Sequence, residues 1–429
     1  MGKNYLFLTG LLLSFPFILA ARAYQSVPPT GWLIDSDVSL VTEDVVKTKA
    51  EYLAANFNSL RYVILDSDWY IQESENTEDQ SAQYWLDEYG RYVPDPLRFP
   101  SSSNRQGFKP LADYIHRLGF KFGITIKRGV PRKAVDWELP VKNAGGVTAD
   151  NIYTASMQFD PQADNYTILA AKPGGQEYYN SIMDLYASWG VDFIRVEDVL
   201  QPYHQIEIEM LRKAIDQTGR AMFLSLAGGE TPSEKTDHAA VFADMWSAAD
   251  TSVYGACQDL SCFITAYEKA YRSQSSWADL GIVNMDGVEE ANSEETQMAF
   301  ILFSAFYKLP LIFKGELPSS SEPVYSLLKN KGFWEIYDRS VKATVLSNQN
   351  GLLVLTSADT KEKEIYLILF NMDGANGKTF NLCPETFGLK RKYSISDVLS
   401  GEEAVKVKGC VDQNLDSKTL FKLLKLKRR

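Results

Sequence analysis

At 429 residues the chain exceeds one ordinary small domain, and a barrel of about 250 residues followed by an appended module fits that length. Hydrophobic residues make up 45% and charged residues 23%, as expected of a globular chain with a sizeable core. The net charge of -11 argues against nucleic acid and anionic membrane as partners, since both select a cationic face, and is compatible with a neutral sugar.

Residues 1–23 read as a signal peptide: Lys3 is positive, 6–19 is apolar, and Ala21-Arg22-Ala23 has the small-x-small form of a cleavage site. That implies a secreted or periplasmic destination, lysosomal in a eukaryote, with no membrane attachment after cleavage. Such a compartment permits disulfides. Among the four cysteines, Cys257 and Cys262 are near enough to pair locally, and Cys383 and Cys410 form a possible second bridge. Neither the cysteines nor His116, His204 and His238 have metal-ligand spacing, so no cofactor or metal is expected.

Between Gly31 and Glu316, eight apolar runs predict strands over 31–34, 62–65, 122–126, 193–196, 222–226, 243–246, 281–285 and 311–313. Helical patterns lie between them, at 42–56, 108–118, 178–189 and 205–218. The alternation predicts a (β/α)8 barrel over 24–330, and no glycine-rich phosphate turn after an early strand favours an open doubly wound sheet. From 331 to 429 the pattern changes. Apolar runs at 351–356 and 364–370, with Asn350-Gly351 and Asp373-Gly374 as hairpin signals, predict an antiparallel β-sandwich. The basic stretch 424–429 reads as a solvated terminus.

Barrel enzymes carry their chemistry at the C-terminal ends of the strands. Those ends deliver Asp35, Asp66, Asp68, Lys127, Arg128, Arg195, Glu197, Asp198, Glu230, Asp250, Asp286, Lys314 and Glu316. Two carboxyls about 5–5.5 Å apart can hydrolyse a glycosidic bond with retention. Arg195 lies two residues before Glu197, so a strand places both on one face, where the cation favours the charged carboxylate. Asp198 points elsewhere unless the strand has ended.

The segment Trp189-Gly190-Val191-Asp192-Phe193-Ile194-Arg195-Val196-Glu197 resembles the nucleophile strand of the α-galactosidases of glycoside hydrolase family 27, which reads Trp-Gly-Val-Asp, two apolar residues, Lys, an apolar residue and Asp. Pro28-Pro29-Thr30-Gly31-Trp32 is similar to the family's opening Pro-Pro-Met-Gly-Trp. Leu65-Asp66-Ser67-Asp68-Trp69 resembles its Leu-Asp-Asp-Cys-Trp, and Pro94-Asp95-Pro96-Leu97-Arg98-Phe99-Pro100 matches a family loop. Met245-Trp246 resembles the segment leading to the acid/base aspartate. The likeness spans about 28–317.

The resemblance implies a glycoside hydrolase of the α-galactosidase type acting on a carbohydrate substrate. It implies Glu197 as nucleophile, Asp250 as acid/base, and Asp66, Asp68, Lys127 and Arg195 as sugar-binding groups. The departures cluster at these positions. Glu197 is one methylene longer than the family's aspartate. Ser247 stands where an arginine is expected, and Thr251 falls on the acid/base position unless a one-residue contraction brings in Asp250. Asp35 replaces the second tryptophan of the opening motif. A retained scaffold with a rebuilt pocket also allows a related glycosidase for a different sugar, or a catalytically silent carbohydrate-binding barrel.

Overall fold

The computed structural model describes residues 27–35, 41–72, 84–154, 165–250, 252–270, 276–286, 293–317, 322–359, 364–374, 376–389, 392–401 and 403–428. The signal-peptide reading of 1–23 and the acid/base position Thr251 lie outside these residues.

The barrel strands are β1 (Thr30–Ile34), β2 (Tyr62–Leu65), β3 (Lys121–Lys127), β4 (Phe193–Glu197), β5 (Phe223–Leu226), β6 (Met245–Ser247), β7 (Trp277–Asp279), β8 (Val283–Asn284) and β9 (Leu311–Lys314). All pair in parallel, in the order β7-β6-β5-β4-β3-β2-β1-β9-β8. Only Leu280, Gly281 and Ile282 separate β7 from β8. They are one barrel strand in two pieces, the first pairing with β6 and the second with β9, which closes the (β/α)8 barrel.

Alternation along each strand divides its residues between two cores. Leu33, Tyr62, Ile64, Phe193, Phe223, Met245 and Ile312 form an apolar plug inside the barrel, with Trp277 and Ile282 against it. Their neighbours, among them Trp32, Val63, Ile124, Val196 and Leu224, face outward onto the helices. The helix Glu43–Asn56 begins as its sequence requires: Thr42 accepts the Val45 N–H at 3.4 Å, and Glu43 and Asp44 stand in the first turn, where the helix dipole favours negative charge.

The seventh strand begins earlier than the predicted 281–285. Its first piece is Trp277–Asp279, and the break falls at Gly281, whose φ is +106°. A Cβ built on Gly281 would lie 2.5 Å from Ser252 Cα, so the break lets the loop after β6 pack directly on this strand. Three hydrogen bonds fix the contact: Ala248 N–H to Asp279 O at 2.8 Å, Val253 N–H to Leu280 O at 2.9 Å, and Ser252 Oγ to Ile282 O at 2.6 Å. Gly281→Ala is expected to cost about 1–3 kcal/mol and to shift the loop that carries Asp250. Urea unfolding and circular dichroism will check this, and a variant as stable as the parent would show that the two segments separate freely.

The C-terminal region comprises β10 (Thr344–Gln349), β11 (Leu352–Asp359), β12 (Glu364–Asn371), β13 (Lys378–Leu382), β14 (Lys392–Asp397), β15 (Val405–Lys408), β16 (Val411–Leu415) and β17 (Phe421–Arg428). An antiparallel six-stranded sheet, β10-β11-β12-β17-β14-β15, stacks on the pair β13-β16 as a sandwich. Leu352, Val354, Leu367, Leu369 and Leu424 fill the space between the sheets with Leu382 and Leu415. Leu353, Leu355, Tyr366, Ile368 and Leu423, on the opposite face, join the core of the barrel helices.

Asn350 and Gly351, with φ of +52° and +71°, make the two-residue hairpin that their identities predict. Two expectations fail. Asp373-Gly374 does not close a hairpin, because β12 pairs with β11 and β17 while the chain crosses to β13 in the other sheet. Residues 424–428 of the basic stretch are no solvated terminus but part of β17, a central strand. Leu424 and Leu426 are buried, while Lys425 and Lys427 pair with the buried Glu364 at 2.7 and 3.1 Å. Alternating leucine and lysine marks a strand with one apolar face and one paired face, and the lysines obscured it. The segment Lys331–Arg339, within the region read as sandwich, is a helix.

Candidate active site

Above the apolar plug the barrel interior turns polar, because the same alternation that buries Leu33, Ile64, Phe193 and Ile312 brings Asp35, Asp66, Arg195, Glu197 and Lys314 inward above them. Arg195 is the hub. Its Nη1 lies 2.5 Å from Glu197 Oε1 and 3.7 Å from Asp66 Oδ1. The cross-strand register explains the reach: Thr125 of β3 lies between Asp66 and Arg195, and Lys127 stands level with Glu197 on the neighbouring strand. Burial works against the Arg195 charge, but Glu197 and Asp66 outweigh it and hold the guanidinium above its ordinary range. Burial raises the Asp66 pKa; Arg195 opposes that rise and Glu197 adds to it. Asp68 is also raised by burial, against the attraction of Lys127, and its backbone is left-handed at φ +75°.

The strand ends at Glu197, and Asp198 takes a φ of +61°. Arg128, adjacent to Lys127 in sequence, turns away from the barrel mouth. Its Nε donates to the Asp198 carbonyl, and its Nη1 donates to Thr167 Oγ1 at 2.9 Å and Glu207 Oε2 at 3.1 Å. Arg128 therefore clamps the peptide that follows Glu197 instead of facing a ligand. Three other sequence candidates find partners elsewhere: Glu230 pairs with Lys269 at 2.6 Å, Asp286 accepts the Glu316 N–H, and Glu316 lies 3.2 Å from Lys49. Asp250 is exposed on the loop beyond β6. The histidines are absorbed by local pairs, His116 with Asp192 at 2.7 Å, His204 with Glu207 at 3.1 Å and His238 with Glu209 at 3.1 Å. The Asn165 side-chain amide is occupied on both sides: its Oδ1 accepts from the Tyr92 hydroxyl and its Nδ2 donates to the Arg128 carbonyl. Both cysteine pairs, Cys257–Cys262 and Cys383–Cys410, are joined.

Sequence reasoning missed Asp279. It ends β7 on the inward face, is buried, and accepts the Gly281 N–H at 2.9 Å. The signal is present in the alternating triplet Trp277-Ala278-Asp279, but the apolar run that predicts the strand begins at Gly281. Burial raises the Asp279 pKa, with Gly281 and Arg195 opposing. A carboxyl whose folded pKa is raised lends stability in full below its unfolded value, about 3.9, and loses it as pH rises through the folded value. Asp279→Asn is therefore expected to melt at a higher temperature than the parent at pH 7–8, with the gap closing toward pH 4. A gap independent of pH would show that the carboxyl does not titrate in this way.

No protein-family model matches the chain. An α-galactosidase from Oryza sativa subsp. japonica is 25% identical over 298 residues, 65% of this chain and 58% of that protein. The chain thus spans little more than half the length of the first curated plant enzymes it matches. Solved structures match over nearly all of it. A family 27 β-L-arabinopyranosidase from Geobacillus stearothermophilus superposes with a TM-score of 0.79 at 30% identity, covering 95% of this chain and 98% of that one. A candidate α-N-acetylgalactosaminidase from Bacillus halodurans superposes with a TM-score of 0.73 at 29% identity, covering 94% and 97%. Matched along almost its whole length by a family 27 structure at 30% identity, the chain belongs to glycoside hydrolase family 27.

Proposed function

We propose that the chain is a secreted, retaining glycoside hydrolase that removes terminal α-linked galactose from oligosaccharides or glycoconjugates. The observation that carries the reading is Glu197 at the end of β4, 2.5 Å from Arg195 and facing the barrel mouth with Asp66. A carboxylate oriented by a neighbouring guanidinium and facing the barrel mouth is placed to act as a nucleophile. In the first step Glu197 attacks the anomeric carbon, and the glycosidic oxygen leaves with a proton from Asp250. In the second, Asp250 takes a proton from water, whose oxygen displaces Glu197 and restores the starting configuration. Asp66, Asp68 and Lys127 hold sugar hydroxyls, and no metal or organic cofactor enters either step. The two disulfides support an oxidising compartment, in keeping with the secretion signal read in residues 1–23.

A second reading, hydrolysis of β-L-arabinopyranosides, is favoured by the arabinopyranosidase among the structural neighbours. The two substrates are close in chemistry: β-L-arabinopyranose is α-D-galactopyranose without its C6 group. A panel of p-nitrophenyl α- and β-glycosides, with galactosides, N-acetylgalactosaminides, glucosides and arabinopyranosides, tests both. Turnover of the α-galactoside supports the first reading. Turnover of another glycoside alone reassigns the sugar, and a folded protein inert on the whole panel points to a carbohydrate-binding barrel.

A further inference from the structure

Asp35 stands where the family's opening motif has a tryptophan, and the structure gives it a partner. Leu33 and Ile312 belong to the plug inside the barrel, so Asp35 and Lys314, each two residues further along its strand, project inward above them. Lys314 Nζ lies 2.9 Å from Asp35 Oδ2, and the side chains are 27% and 12% exposed. The pair is partly desolvated but open to the barrel mouth.

Its place relative to Glu197 follows from the sheet order. From β4 the strands run β3, β2, β1, β9 in one direction and β5, β6, the broken β7/β8, β9 in the other. Lys314 on β9 is thus diametrically across the barrel from Glu197, and Asp35 on β1 is next to it. A pyranoside whose anomeric carbon meets Glu197 turns the opposite end of its ring, with the C4 hydroxyl and the substituent at C5, toward that wall. There it meets an ammonium that donates and a carboxylate that accepts. A hydroxymethyl group at C5 offers one hydroxyl able to accept from Lys314 and donate to Asp35. A ring bearing only hydrogen at C5 leaves both without a ligand partner, and sites built to bind a hydroxyl discriminate strongly against analogues that lack it.

Resting on the glycosidase reading above, we propose that the Asp35–Lys314 pair is a specificity-determining element that reads the C6 hydroxyl and selects galactopyranosides over the corresponding 6-deoxy sugars and pentopyranosides.

The test compares kcat/KM for p-nitrophenyl α-D-galactopyranoside and its 6-deoxy analogue, the α-D-fucopyranoside, which removes one oxygen and leaves the protein intact. The parent enzyme is expected to prefer the galactoside by roughly 10–100-fold, the worth of a hydrogen bond to a charged group at a partly exposed pair. In Asp35→Asn and in Lys314→Met the galactoside falls far more than the 6-deoxy substrate, so the ratio drops toward one. General loosening of the site lowers both substrates together and leaves the ratio in place. A parent ratio near one overturns the proposal without any variant, as does a large ratio that survives in the folded variants. If one variant fails to fold, as judged by thermal melting, the other decides. A parent inert on both glycosides overturns the glycosidase reading and this inference with it, whereas an active parent with a ratio near one overturns the inference alone.

Discussion

Glu197→Gln is expected to lower kcat by at least about 10³-fold, as removal of a covalent nucleophile does elsewhere, while the protein stays folded. Glutamine keeps the shape of the side chain and an oxygen for Arg195 to donate to, but it cannot form the glycosyl ester. The control is its neighbour. Asp198 lies beyond the end of β4 with a φ of +61°, a conformation that asparagine also tolerates, so Asp198→Asn is expected to change kcat by less than about tenfold. Single-turnover kinetics with an activated α-glycoside, alongside thermal melting, separates chemistry from folding. Full activity in Glu197→Gln, or equal losses in the two variants, would remove Glu197 from the nucleophile role.

Arg195→Met is expected to destabilise the fold at neutral pH by about 3–5 kcal/mol, the cost of leaving partly buried charge without its partner. The guanidinium serves Glu197 at 2.5 Å and Asp66 at 3.7 Å from one nitrogen, and methionine fills the space without the charge. The sign of the pH dependence follows from Asp66. Burial raises its pKa and Arg195 opposes that rise, so without Arg195 the folded pKa climbs further. Stability tied to this carboxyl is then present below its unfolded value of about 3.9 and is lost as pH rises through the higher folded value. The deficit of the variant should be largest at pH 7–8 and shrink toward pH 4. Urea unfolding across that range measures it, and a deficit constant with pH would mean that lost packing, not unpaired charge, is the cause. Arg195→Lys, which introduces the lysine of the family motif, is expected to lose less.

The strands of the barrel were legible because each is a short apolar run that no other structure explains, and because helices of regular period separate them. The inward direction of Arg195 and Glu197 was legible too, since a period of two is a local property of any strand. The failures share a physical cause. Gly281 breaks a strand because Ser252 needs the space that a side chain would occupy, a contact between segments 29 residues apart in sequence. Asp279 ends the piece of that strand that precedes Gly281, outside the apolar run 281–285. Arg128 was placed at the mouth by its neighbour Lys127, but Glu207 and Thr167 draw it outward, and both lie far along the chain. The same holds for Lys425 and Lys427, whose charges read locally as a solvated tail but are paired with Glu364, 63 residues before Lys427 in the chain.

The sequence by itself determined the barrel and the sandwich, the family motifs and the face of β4 that carries the charge. All of these rest on local periodicity or on adjacent residues. Only the tertiary structure decided which charged side chains meet: that Arg195 spans Glu197 and Asp66, that Asp279 is buried, and that Asp35 faces Lys314 across the closure of the barrel. Those pairings join strands as much as 279 residues apart, and their energy depends on distance and burial, which a linear order of residues does not contain.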